Sequence, residues 1–161
     1  MCIRDRTRAM TSLSRQKIGA LVVLEREVGL NDIVESGTTL DADVSSELLI
    51  NIFIPNTPLH DGAVIINNEK IIAAACYLPL SNSNLISKEL GTRHRAAVGI
   101  SERSDAIVIV VSEETGNISI VESGRIDRYF DEDSFKQRLK KDLVFVREET
   151  VDDEKKEDDD E

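Results

Sequence analysis

Two hydrophobic rhythms alternate along this chain. Largely apolar runs extend from Ile18 to Glu25 and from Ala106 to Val111, and runs of that length suit strands covered on both faces. Ala63 to Ile66 and Lys70 to Leu78 form a second pair of apolar runs, joined across Asn67-Asn68. Paired asparagines tolerate positive φ, so these two runs read as a hairpin. Ile118 to Val121 alternates apolar and polar after the turn Glu114-Thr115-Gly116-Asn117, as a partner strand for 106–111 would.

The second rhythm is helical. Glu47 to Phe53 places its apolar residues three and four apart, with Ser45 or Ser46 as cap and Pro55 and Pro58 as stops. Ala9 to Lys17 reads as the end of a helix, Arg93 to about Arg103 as a helix started by Thr92, and Glu132 to Leu143 as an amphipathic closing helix. Ser87 to Gly91 reads as a short helical turn ended by glycine. Gly29 to Asp43, with Gly, Asn, Asp, Ser and Thr at short intervals, reads as loop. Helices interleaved with fully apolar strands predict an α/β layered sheet.

Composition changes this picture in three places. Length, 161 residues with 40% apolar and 32% charged, suits one soluble domain. The net charge of −11 belongs mostly to the end of the chain, because Glu148 to Glu161 carries −8 and leaves −3 for the rest. That stretch reads as an acidic disordered tail, residues 147–161, with partner docking as the alternative. Residues 1–8 share no pattern with the rest of the chain and read as an unstructured leader outside the domain, which leaves 9–146 as the folded unit. No apolar run approaches the roughly 20 residues needed to cross a bilayer, and nothing after Arg8 resembles the apolar segment of a signal peptide. The two cysteines lack partners at metal-ligand spacing, and Cys76 sits in an apolar run as a small hydrophobe.

Four polar clusters stand at helix–strand boundaries, where open α/β sheets bind ligands. In Pro58-Leu59-His60-Asp61-Gly62-Ala63 the Asp-Gly pair is a plain turn or a carboxylate presented at a strand mouth, with room for a ligand at Gly62 and Ala63. His60 and Asp61 together suit a divalent ion, and Asp61 suits proton withdrawal from a hydroxyl. In Gly91-Thr92-Arg93-His94-Arg95 the basic residues oppose the helix dipole. A solvated basic patch is one explanation; a phosphate chain held by free N–H groups, the Thr92 hydroxyl and forked guanidiniums is the other. Tyr77, at the end of an apolar strand, is either core or a wall for a base. Ser112-Glu113-Glu114-Thr115-Gly116 is a polar turn that gains interest only by arriving at the same sheet edge. A carboxylate, a phosphate cradle and a base wall together describe a nucleotide site.

At these residues the chain resembles the diadenylate cyclase domain of the membrane-anchored type found in Gram-positive bacteria and their relatives. The resemblance covers roughly Lys17 to Asp142 and rests, in order, on Ser45 to Phe53 leading into Pro55 to Ala63, then Ala73 to Leu80, Ser87 to Ala97 and Ser112 to Gly116. It implies a central mixed, twisted β-sheet flanked by helices. It implies condensation of two ATP into cyclic di-AMP with loss of two pyrophosphates, in a homodimer whose two sites face each other. Asp61, Gly62 and Ala63 would be catalytic, and His60 and Asp61 would hold Mn²⁺ or Mg²⁺, with Co²⁺ as a further candidate. Gly91, Thr92, Arg93, His94, Arg95, Ser112 and Glu113 would line the phosphates, and Tyr77 and Leu78 the adenine. Members of this type carry three membrane helices ahead of the cyclase domain, so this chain would be a cytoplasmic domain of an anchored protein. A regulatory membrane protein and a phosphoglucosamine mutase are partners by resemblance; no nucleic-acid partner is expected. The competing readings are a nucleotide sensor without turnover and an interaction protein working through the acidic tail.

Overall fold

The computed structural model describes residues 3–142, so the acidic tail lies outside the described residues. Seven strands form one sheet in the order β2-β4-β3-β1-β5-β6-β7. They are β1 (Ala20–Leu24), β2 (Thr38–Asp43), β3 (Ala63–Asn67), β4 (Lys70–Cys76), β5 (Ile107–Val111), β6 (Ile118–Glu122) and β7 (Arg125–Phe130). Only β1 and β3 run parallel, and every other neighbouring pair is antiparallel. This is the mixed sheet flanked by helices that the sequence predicts.

Period-2 alternation assigns each side chain of the central strands to a face. Ala20, Val22 and Leu24 join Ala9, Met10 and Leu13 of α1 (Ile3–Arg15), Leu49 and Ile52 of α3 (Ser46–Ile52), and Phe135 and Leu139. Leu21 and Val23 join Ala97, Val98 and Ile100 of α4 (Thr92–Arg103), with Ile33 and Val34 of the short α2 (Asn31–Glu35) at the margin. Two cores, one on each face, make β1 and β5 apolar from end to end and β3 apolar up to Asn67.

Local chemistry sets the ends. The Ser45 hydroxyl accepts the Leu48 N–H at 3.1 Å, a cap contributing about 1 kcal/mol. α1 ends in a paired turn: Lys17, at φ 52°, donates its N–H to Ser14 O, and Ile18 donates to Leu13 O. Asn68 adopts φ 52° in the β3–β4 turn, as the paired asparagines predict. Asp131 caps the last helix (132–142) by accepting the Ser134 N–H at 2.8 Å.

Four differences from the sequence reading are instructive. Ile3–Arg8 is not an unstructured leader but the first half of α1, with Arg6 and Thr7 buried and an Arg6 Nη2 hydrogen bond to Asn68 O. The segment read as loop holds α2 and β2. β7 goes unread in the sequence. Residues 87–91 form a turn rather than a helical one, closed by Leu90 N–H to Ser87 O. β2 and β7 are the two edges of the sheet; they expose one face and draw their order from a neighbour's hydrogen-bond ladder, so their sequences need no apolar run.

Candidate functional site

The topology brings all four polar clusters to one end of the sheet. β1 and β3 begin there, and the antiparallel β4 and β5 finish there, because Ala63 pairs with Cys76 and Ala20 with Val111. Across this end run Tyr77, then Asp61 and Gly62, then Gly19, then Ser112 and Glu113. Four strands at about 4.8 Å spacing make a mouth about 14 Å wide.

The side expected to face a base is a cleft of about 60 Å³ lined by Asp61, Gly62, Ala75, Cys76 and Tyr77. Tyr77 is 79% exposed, so it is no core residue. Its backbone N–H donates to Ser36 Oγ at 2.9 Å, which fixes the strand exit while leaving the ring free. Ala75 stands at φ 55°, inside the irregularity that separates the Ala63–Cys76 and Ile65–Ala73 pairings. A bulge of this kind re-aims the next residues along the strand, here Cys76 and Tyr77. Leu78 is half-buried and packs on the α4 side of the core. Burial pushes the Cys76 thiol up to about 11, which keeps it protonated and inert.

Asp61 is exposed, whereas Ala63 is fully buried in the core. Gly62 has φ +120°, and a Cβ there would come within 2.8–2.9 Å of the Ala75 and Cys76 backbone. The room read at Gly62 and Ala63 is therefore taken by β4 and by the core, not left for a ligand. Their work is to hold Asp61 at the mouth. His60 Nδ1 lies 2.6 Å from the Thr57 carbonyl. A carbonyl can only accept, so Nδ1 carries a proton, and in the neutral imidazole Nε2 is the nitrogen with the lone pair. Among the described residues no group of three or more His, Cys, Asp or Glu side chains is placed to hold a metal. A metal here would take one or two protein ligands and complete its shell with phosphate and water oxygens, the usual manner of Mg²⁺.

The side expected to face phosphates is a cleft of about 80 Å³ formed by Gly91–His94, Val111–Glu114 and Glu89. α4 starts at Gly91, which offers no side-chain cap, and its first turn carries no acidic residue. Its N–H groups stay open to an incoming anion. Arg93 pairs with the largely exposed Glu113 at 3.5 Å, and Arg95 has no carboxylate partner among the described residues. Ser112 Oγ accepts from Glu114 and Thr115 N–H groups, which shapes the turn. His94 departs from expectation. It is 5% exposed, and burial first, then the guanidiniums of Arg128 and Arg93, hold its imidazole below the ordinary value. It is a neutral group behind the cleft and adds no charge to it.

Four features were missed in the sequence. Gly99 lets α4 press on the loop after β4, since a Cβ there would collide with the Pro79 carbonyl. Ser81 N–H donates to Arg95 O at 3.0 Å and Ser81 Oγ to Glu102 at 2.6 Å, so the two sides are bolted together. Arg128 of β7 pairs at 3.8 Å with Glu89, which lines the cleft. Gly19 faces Arg93. A glycine beginning an apolar strand signals a close approach of some kind, but nothing in the sequence says which.

A roomier recess, about 510 Å³, lies at the opposite end of the sheet, between Arg26, Glu122, Arg125 and Arg138. Most of its charges, Lys141 apart, are already paired: Arg138 with Asp127 at 2.7 Å and Asp142 at 3.2 Å, and Arg26 with Glu122 at 3.4 Å. Size alone points to that recess, and chemistry points away from it.

A mixed α/β sheet with an uncapped helix start and a guanidinium at a cleft on one end has the form of a nucleotide-binding domain. Comparison with known proteins agrees. Residues 7–126 match the family described as DAC, DisA bacterial checkpoint controller nucleotide-binding, and the chain belongs to this family. It is 59% identical over 133 residues to the cyclic di-AMP synthase CdaA of Bacillus subtilis, covering 83% of this chain and 49% of the relative. It is 57% identical over 134 residues to a diadenylate cyclase of Listeria monocytogenes, again covering 83% and 49%. The chain thus spans about half the length of these curated relatives. Among solved structures, DacA from Staphylococcus aureus, as an N166C/T172C double mutant, superposes with a TM-score of 0.83 at 54% identity, covering 85% of this chain and 91% of that one.

Proposed function

We propose that this chain is a diadenylate cyclase domain, condensing two ATP into cyclic di-AMP. The observation that carries the reading is the convergence of Asp61, Arg93 and Tyr77 on one sheet end, in a chain 57–59% identical to proteins so named. Each ribose 3′-oxygen forms a bond to the α-phosphorus of the other nucleotide. The α–β bridging bond breaks, pyrophosphate leaves, and Asp61 draws off the hydroxyl proton. Tyr77 and Leu78 flank the base; Thr92, Arg93, Arg95 and the open N–H groups of α4 hold the triphosphate. A bound Mn²⁺ or Mg²⁺ at Asp61 and His60 Nε2 supplies neutralisation of phosphate charge.

Size supports a second copy. Clefts of about 60 and 80 Å³ are well short of the roughly 300 Å³ or more that ligand pockets enclose. Each domain offers an open half-site, closed by its twin across a twofold axis. Incubation with ATP and Mn²⁺ should yield cyclic di-AMP and two pyrophosphates, and specific activity should fall on dilution. ATP bound without product would make the domain a sensor; specific activity constant across dilution would overturn the dimer. No helix among the described residues is long and apolar enough to cross a membrane, and anchoring of the whole protein is proposed from the resemblance alone.

A further inference from the structure

At the mouth of β1, Gly19 presents bare backbone to the phosphate cleft. A Cβ built there would come within 2.5 Å of Arg93 Nη1, 2.6 Å of its Cζ and 3.0 Å of its Nη2. All three distances go to one planar group, so the guanidinium lies flat over the space a side chain would fill. Glu113 engages the same Nη1 at 3.5 Å from the β5 side, and the Arg93 side chain is only 26% exposed. Gly19 has no positive φ, so its backbone does not demand glycine. The nearest obstacle to a methyl group is the far end of one flexible side chain. That combination separates this glycine from Gly62, whose neighbours are backbone and whose φ is +120°.

We infer that Gly19 is a positioning residue for phosphate binding: its missing side chain is the floor on which the Arg93 guanidinium is held flat at the cleft. The inference rests on the reading of Arg93 as a triphosphate ligand. Guanidinium binds phosphate through a planar fork, so its orientation matters as much as its charge. With a methyl group beneath it, the guanidinium lifts away, keeps its charge and loses its alignment. The fold should hold, because the displaced atoms are the far end of one flexible side chain.

A double-mutant cycle tests this, with ATP affinity measured calorimetrically and the thermal midpoint as control. Arg93→Ala should weaken ATP binding on the order of a hundredfold, and Gly19→Ala on the order of tenfold with an unchanged midpoint. In the Arg93→Ala background, Gly19→Ala should add less than about twofold. Arg93→Lys, which lacks the planar fork, should be equally indifferent to Gly19→Ala. Unchanged affinity in Arg93→Ala would remove the underlying reading of Arg93. A loss in Arg93→Ala without one in Gly19→Ala would sink the role of Gly19 alone. Equal losses in both backgrounds, or a Gly19→Ala chain that does not fold, would show that the position serves the backbone instead.

Discussion

The two ends of this sheet hold similar residue types in opposite conditions. At the far end, Arg138 is pinned between Asp127 and Asp142 and Arg26 by Glu122, at distances down to 2.7 Å. At the near end, Arg95 has no carboxylate partner among the described residues, Arg93 has one loose and largely exposed partner, and Asp61 is open to solvent. Paired charges stabilise what is already folded. Charges left with capacity to spare, beside the open N-terminus of a helix, are available to an anion. The contrast shows why the larger recess is the poorer candidate for a site.

Substitutions can break this contrast. The largest effect is expected from Asp61→Asn, which should lower cyclic di-AMP formation by roughly 10²–10⁴-fold while calorimetry still detects ATP and the thermal midpoint holds. Undiminished turnover would remove Asp61 from proton transfer. Gly62→Ala tests the other half of that motif. Its φ of +120° and the β4 backbone beneath it should cost roughly 3 kcal/mol or more in urea unfolding. A small cost would mean that the strand mouth yields more easily than its geometry indicates.

At the far end, Arg138→Met should cost about 1–2 kcal/mol in unfolding, discounted because the side chain is a quarter exposed. Its affinity for ATP should match the parent protein. Weakened ATP binding there would undo the division between the ends.

The smallest effect concerns pH. The His94 imidazole is held below its ordinary 6.5 by burial and then by Arg128 and Arg93, which are themselves faced by Glu89 and Glu113. The unfolded chain takes up a proton near that value which the native state refuses. Stability is therefore fully present above it and lost as pH falls below it. Thermal midpoints of the parent should drop by the equivalent of about 0.5–1 kcal/mol between about pH 6.5 and 5.5, and His94→Gln should show a flatter profile. Parallel profiles would remove His94 as the cause.

Apolar runs and caps determined much of this protein from sequence alone. β1, β3, β4, β5 and β6, the Ser45 cap, the Asn68 turn and the start of α4 are all legible, because burial on both faces and capping leave local marks. β2 and β7 left none, being ordered by neighbours distant in sequence. The residue types of the site were legible too, as carboxylate, guanidinium, hydroxyl and tyrosine at element ends. Their division of labour was not. His94 reads as a cation in the sequence and folds into a neutral buried group, since burial depends on β7 and α4 meeting. Gly62 and Ala63 read as room for a ligand, and β4 with the core fills that room. Gly19, 74 residues before Arg93, becomes its floor only when β1 lies beside β5. Contacts of that separation have no periodicity and no motif, so only the tertiary structure could decide them.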